Sequence, residues 1–238
     1  DEAYRPLFPN GDSPFSDVNR EISVAELLEA VRGADAHKAP GVDRLTVDMI
    51  KLFADGYTQD RPCPVIEALL LAANLALTLG VQTETATRGL IVMIPKDPSQ
   101  LDPPVSDMRP ITLLCEFHKL TNRVLARRIT RTLATRPELL ALAQRAFLRD
   151  GDTQQCINAL LDAVETASLE PEHLRQLFTS SLDVSKAYDS VQEYTIRATL
   201  ERYGFPERAV AYFTSAFSSA TSCVSTAHGP TESFRVLS

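Results

Sequence analysis

The stretch SLDVSKAYDS, Ser181–Ser190, closes a run with strand-like composition, QLFTSSLDV. Alternation across Gln176–Val184 places Thr179, Ser181 and Asp183 on one face and Phe178, Ser180, Leu182 and Val184 on the other. An ionised aspartate at a strand end needs water, a cation or hydrogen-bond donors. Ser185 is a candidate cap for a following helix, with Tyr188 and Asp189 near its start. Asp183 is therefore either an active-site carboxylate or the end of a strand running into a helix cap. The stretch alone leaves both readings open.

The chain has 238 residues, enough for one large domain or two small ones. A hydrophobic share of 44% and a charged share of 23% are those of an ordinary soluble globular protein. Residue 1 is Asp rather than Met, so a longer parent polypeptide is expected, and no secretory signal is visible. The longest apolar stretch, Val65–Leu77, is interrupted by Glu67 and Asn74. It is shorter than the roughly 20 residues that span a bilayer, so it reads as a buried helix and no membrane partner is expected. Cys63, Cys115, Cys156 and Cys223 are scattered without a C-x-x-C pair. That argues against zinc and suits core positions in a reducing compartment. No histidine has a partner at metal-ligand spacing, and neither a P-loop nor a G-x-S-x-G is present.

The net charge of −7 argues mildly against nucleic acid, but it is unevenly spread. Residues 1–60 carry 12 acids against 6 bases, leaving −1 for the remainder. No acid falls between Phe117 and Pro137, where Lys119, Arg123, Arg127, Arg128, Arg131 and Arg136 lie. Lys119, Arg123, Arg127 and Arg131 recur every four residues along one helix face, opposite Leu120, Val124, Ile129 and Leu133. Such a face is either solvated or a phosphate-binding stripe, whose binding would depend on salt.

Residues 1–20 are rich in Pro, Asp, Asn and Ser and read as irregular. Ser23 with Glu26 forms a capping box ahead of a short amphipathic helix. Pro40 and Gly41 mark a turn, after which Leu45, Met49, Ile50 and Phe53 have helical spacing. A further helix spans about 64–79 and stops at Gly80. RGLIVMIPK and RPITLL read as strands around a Pro- and Asp-rich loop bracketed by Lys96 and Arg109. As isolated cations the two mean little, although their place beside two strands suits a triphosphate. Helices are expected from Glu116 to about Thr135, over about 153–168, and in YTIRATLERYG and PERAVAYFTSAF. A hairpin is expected over 221–237 around His228-Gly229-Pro230. Long helices with isolated short strands indicate an α+β fold.

In this order, the segments resemble a reverse transcriptase of the non-LTR retrotransposon type. KAPGVDRLTVDMIK (38–51) is similar to the N-terminal motif of those enzymes. IVMIPK, followed by MRPITLLCEFHKLTNRVLARRI, is similar to the first two fingers motifs and the helix behind them. QRAFLRDGDTQQCINALLDAVE (144–165) resembles the segment that begins Q-x-x-F-x-x-G, and SLDVSKAYDSV resembles the first palm motif, D-x-x-K-A-F-D-x-V. YGFPERAVAYFTSAF and a hairpin ending ESFRVLS continue the match, which covers about 21–238.

The resemblance implies an RNA-directed DNA polymerase with a right-hand fold. It divides the chain into an irregular extension (1–20), fingers with the N-terminal motif (21–175), a first palm strand and turn (176–191), and helices with a hairpin returning to the fingers (192–238). Asp183 would be a ligand to two Mg²⁺ ions about 4 Å apart, with the Val184 carbonyl on one of them. Lys96 and Arg109 would hold the triphosphate. Tyr188, where the family more often has Phe, would lie under the sugar and select dNTPs. Gln144, Phe147 and Gly151 would line the template path, a role they share with plain packing and a turn. Lys186 matches the family but suits a surface charge equally, and Asp189 is expected to start a helix. The implied partners are an RNA template, a DNA primer and dNTPs, and the implied compartment is the nucleus.

The family's Gln-Gly motif, its paired aspartates and its thumb do not occur before Ser238. The isolated chain is therefore expected to be an incomplete polymerase. The rival readings are a non-catalytic RNA-binding module of the same descent, a group II intron maturase or telomerase-like polymerase, and a helical scaffold without a ligand.

Overall fold

A computed structural model describes residues 5–9, 11–141, 144, 146, 151–171, 176–185, 187, 188 and 190–236. The chain divides into two compact units, one of residues 1–128 with 191–238 and the other of residues 129–190.

In the larger unit, helix α1 (Val24–Arg32) begins as its sequence dictates. Ser23 Oγ accepts the Glu26 amide at 3.3 Å, and Glu26 Oε2 accepts the Ser23 amide at 3.1 Å. Helix α2 (Val47–Asp55) is capped by Thr46. Its buried face is Val47, Ile50 and Ala54, whereas Met49 and Phe53 of the expected apolar stripe are exposed. That face joins residues of α1 and helix α3 (Pro64–Leu79) in the core. α3 ends at Gly80, whose φ of +66° closes the helix in the left-handed region. Asn74, which interrupts the apolar run of α3, has a defined task. Its Oδ1 accepts the Ile22 amide at 2.7 Å and its Nδ2 donates to the Ile22 carbonyl at 3.0 Å.

A short helix, α4 (Glu84–Thr87), was not expected; Thr83 caps it by accepting the Ala86 amide at 3.2 Å. Strands β1 (Arg88–Pro95) and β2 (Met108–Leu113) form an antiparallel hairpin with Ile94 opposite Arg109. Helix α5 (Glu116–Thr135) follows. After the second unit, helices α7 (Glu193–Arg202) and α8 (Glu207–Ser218) lead to β3 (Thr221–Thr226). β3 pairs in parallel with β1, and β4 (Gly229–Pro230) and β5 (Phe234–Arg235) fold back on it. The sheet order is β2-β1-β3-β4, with β5 also on β3. The mixed α+β class expected from the sequence is observed.

The smaller unit contains helix α6 (Thr153–Leu169), capped by Asp152, which accepts the Gln155 amide at 2.7 Å. The expected strand over Gln176–Val184 is not formed. Phe178 and Leu182 stand 88% and 94% exposed, and no described strand pairs with the segment. A single extended run without a ladder partner has nothing to hold it as a strand. The helix expected to start at Asp189 lies partly outside the described residues; α7 begins at Glu193. No described helix is long and apolar enough to cross a membrane.

Residues 11–20 have irregular backbone, as expected, yet they belong to the core. Phe15 and Val18 are buried. The Phe15 ring stacks on Phe205 at 4.6 Å and meets Tyr203 edge-on at 6.1 Å. Ser13 Oγ donates to the Tyr203 carbonyl at 2.7 Å. The far end of this segment is held by Arg128 of α5, which is 8% exposed. Its Nε and Nη2 donate to Glu26 at 2.9 and 2.8 Å. Nη1 donates to the Val18 and Arg20 carbonyls at 2.9 and 2.7 Å, and Nη2 to the Glu21 carbonyl at 3.1 Å. All five guanidinium donors are used.

The Pro40-Gly41 turn packs tightly on the loop before α5. A Cβ on Gly41 would lie 2.6 Å from the Cys115 nitrogen and the Leu114 carbonyl carbon. Backbone cannot retreat as a flexible side chain can. Gly41→Ala is therefore expected to lower unfolding stability by roughly 1–3 kcal/mol in chemical denaturation.

The Arg128 hydrogen bonds, with those from Ser23 and the charge of Arg20, pull the Glu26 pKa down from 4.5 to about 2. Its folded value lies below its unfolded one, so its stabilisation is complete above about pH 4.5 and is lost as pH falls toward 2. In Glu26→Gln that acid-side loss is expected to shrink, measured by thermal unfolding across this pH window.

Candidate active site

Lys96 and Arg109 are brought together by the β1–β2 hairpin. The Lys96 amide donates to the Asp107 carbonyl at 2.8 Å, which extends the ladder one step beyond Pro95. Ile94 faces Arg109, and Lys96 lies two residues further along, so both cations belong to one face of the hairpin. Both are exposed. Lys96 Nζ donates to the Ser106 carbonyl at 2.6 Å, which draws it over the loop. That loop is shaped by Asp97, whose Oδ1 accepts the Ser99 amide at 2.9 Å and the Ser99 hydroxyl at 2.7 Å. These two bonds lower the Asp97 pKa.

Asp183 lies in the second unit and is exposed, with no hydrogen-bond or ion-pair partner among the described residues. Val184 is exposed beside it, and the Tyr188 ring is 82% exposed. A carboxylate and a backbone carbonyl are the hard oxygen donors that Mg²⁺ takes. Two donors do not complete its octahedral shell, and no group of three acidic, histidine or cysteine side chains gathers among the described residues. Lys186 and Asp189 lie outside the described residues, as does Phe147. Gln144 is exposed, donating from Nε2 to the Ala146 carbonyl at 2.9 Å, and Gly151 is half-buried at the start of α6.

The basic face of α5 has partners that its own stretch of sequence does not contain. Lys119 pairs with Glu116, one residue before the acid-free stretch. Arg127 lies 3.4 Å from Glu29 of α1, and Arg123 donates to the Ala30 carbonyl at 3.3 Å. The absence of acids between Phe117 and Pro137 therefore does not leave these three cations unpaired. Arg131, also on α5, belongs to the second unit.

Polar groups of α5 and α8 form a separate cluster around buried His118 and Tyr212. Tyr212 donates its hydroxyl to Asn122 Oδ1 at 3.3 Å, and Asn122 Nδ2 lies 2.8 Å from His118 Nε2. Burial lowers the His118 pKa, so the imidazole is held neutral, and burial raises that of Tyr212. The sequence reading also did not find a groove between α7, α8 and β5. Gln192, Glu193, Tyr194, Arg197, Phe217 and Arg235 contribute to its lining. Its signal was present as Tyr-x-x-Arg spacing on one turn of α7, but β5 is placed against it only by pairing with β3.

No protein-family model matches the chain. Three curated proteins illustrate what it is similar to. It is 30% identical over 206 residues to the Retrovirus-related Pol polyprotein from type-1 retrotransposable element R2 of Popillia japonica, covering 86% of the chain and 26% of that protein. It is 29% identical over 203 residues to the Retrovirus-related Pol polyprotein from type-2 retrotransposable element R2DM of Drosophila melanogaster, covering 84% and 18%. It is 26% identical over 192 residues to the Probable RNA-directed DNA polymerase from transposon BS of Drosophila melanogaster, covering 80% and 20%. The chain thus spans about a quarter or less of the length of these relatives.

The arginines divide into those spent inside the fold and those left for a ligand, and unfolding measurements should separate them. Arg128→Ala is expected to cost about 3–5 kcal/mol, because it strands Glu26 and three carbonyls. Arg109→Ala, at an exposed position, should stay within about 0.5 kcal/mol of the parent chain.

Proposed function

We propose, from the premise that this chain belongs to the reverse transcriptases of the non-LTR retrotransposon type, that it carries nucleotide- and metal-binding parts of an RNA-directed DNA polymerase. The observation that carries the reading is the exposed carboxylate of Asp183, without a partner among the described residues, within a segment similar to the first palm motif. A structural aspartate at a chain turn ordinarily caps an amide or meets a cation; this one does neither among the described residues.

In this reading residues 21–175 and 192–238 belong to the fingers, and Asp183 lies in the palm segment 176–191. Arg109 offers a planar fork to phosphate oxygens, and Lys96 adds a point charge from the same hairpin face. Tyr188 lies beneath the sugar and selects against a 2′-hydroxyl. Asp183 and the Val184 carbonyl would hold Mg²⁺ together with further carboxylates. When bound, Mg²⁺ neutralises charge on the attacking and leaving oxygens. The template is RNA, the primer end is DNA, Gln144, Phe147 and Gly151 would line the template path, and Arg131 would meet backbone phosphate.

The test is primer extension on an RNA template by the full-length protein. Asp183→Ala is expected to abolish extension while RNA binding, measured by filter retention, is largely kept. Extension at near-normal rate would overturn the assignment. Loss of RNA binding together with extension would point instead to a structural role for the segment. Arg109→Ala is expected to raise the apparent KM for dNTPs at least about tenfold, the cost of one charge-assisted phosphate contact.

A further inference from the structure

The groove between α7, α8 and β5 is a cavity of about 420 Å³ within the larger unit. Its walls combine aromatic surface and positive charge. Tyr194 and Phe217 present aromatic surface, Tyr194 being 65% exposed, and neither ring meets another aromatic side chain among the described residues. Arg197 and Arg235 supply two cations against the single carboxylate of Glu193. Glu193 is matched by Arg197 at 3.1 Å, and Arg197 is further pinned by Thr214 Oγ1 at 3.0 Å. Arg235 donates from Nη2 to the Ser218 carbonyl at 3.0 Å. Its remaining guanidinium donors meet no acceptor among the described residues, so it is the cation available to an anion.

A ring with an open face beside an anchored arginine is the chemistry that holds a single-stranded base and its phosphate. The place in the sheet matters as well. Arg235 pairs with Thr221 of β3, which pairs with Arg88 at the start of β1. Arg109 pairs with Ile94, six residues further along that strand and so about 20 Å away. The groove is thus separate from the Lys96–Arg109 hairpin. We propose that it is a binding site for single-stranded RNA, one base stacking on Tyr194 and its phosphate meeting Arg235. The proposal rests on the polymerase reading above for the identity of the strand.

The chain contains no tryptophan, so Tyr194→Trp introduces a single indole at a surface position, excited apart from the tyrosines. Titration with a short, unstructured, dye-labelled RNA oligonucleotide reads two signals, dye anisotropy for binding anywhere and indole emission for stacking here. The expected result is saturable quenching that tracks the anisotropy. Tyr194→Ala should weaken binding roughly tenfold, the worth of one stacked base. Arg235→Ala should reduce the salt slope of binding by about one. Thermal unfolding of each variant checks that the fold is kept. RNA binding with unchanged indole emission would overturn the groove alone. No anisotropy change at any RNA concentration would overturn both the groove and the nucleic-acid reading. Equal quenching by DNA of the same sequence would overturn the assignment to RNA.

Discussion

The larger unit depends on one buried ion pair that also serves as a knot of backbone. Arg128 satisfies the Glu26 carboxylate and the carbonyls of Val18, Arg20 and Glu21 together. Removing such charges from water is costly, and only a full set of hydrogen bonds offsets it. Glu26 meets its half by doing two jobs, closing the capping box of α1 while pairing with α5. The result is that the irregular segment before α1 is pinned to α5 at one end. At its other end Phe15 and Ser13 fix it to Tyr203 and Phe205, between α7 and α8. Residues far apart in sequence are thereby locked around a core in which few strands take part.

Local chemistry made most of the larger unit legible in the sequence. Ser23-x-x-Glu26, Gly80 after an apolar helix, and two β-rich runs around a Pro-rich loop each specify their structure within a few residues. What could not be read was whatever required a distant partner. The Pro40-Gly41 turn needs glycine because the backbone at Leu114–Cys115 passes within reach of a Cβ, some seventy residues away by chain count. Arg128 looked like its neighbours on a basic stripe, and only the fold distinguishes it. Asn74 looked like an interruption and is instead the partner of an otherwise bare Ile22 backbone.

The same distinction explains why the candidate site was only partly recovered. Lys96 and Arg109 are joined by a hairpin whose register follows from adjacent sequence, so their common face could be anticipated. Gln176–Val184 has the alternation of a strand but finds no ladder among the described strands, so its period remains a pattern without a structure. Alternation encodes which faces a strand would present. It does not supply the neighbour whose hydrogen bonds make the strand.

Counting cations along α5 overstated its capacity for phosphate, because charge in a linear stretch is not charge at a surface. Lys119, Arg123, Arg127 and Arg128 all find an acceptor or a counter-charge within the chain, three of them from α1 or the segment before it. A phosphate backbone reaching this face would have to compete with Glu26 and Glu29, and Arg128 is too deeply held to be released without unfolding its surroundings. Two acids of the acid-rich first sixty residues, Glu26 and Glu29, thus serve as counter-charge to the basic helix. Of the arginines outside α5, Arg109 and Arg235 are held at opposite ends of the same sheet.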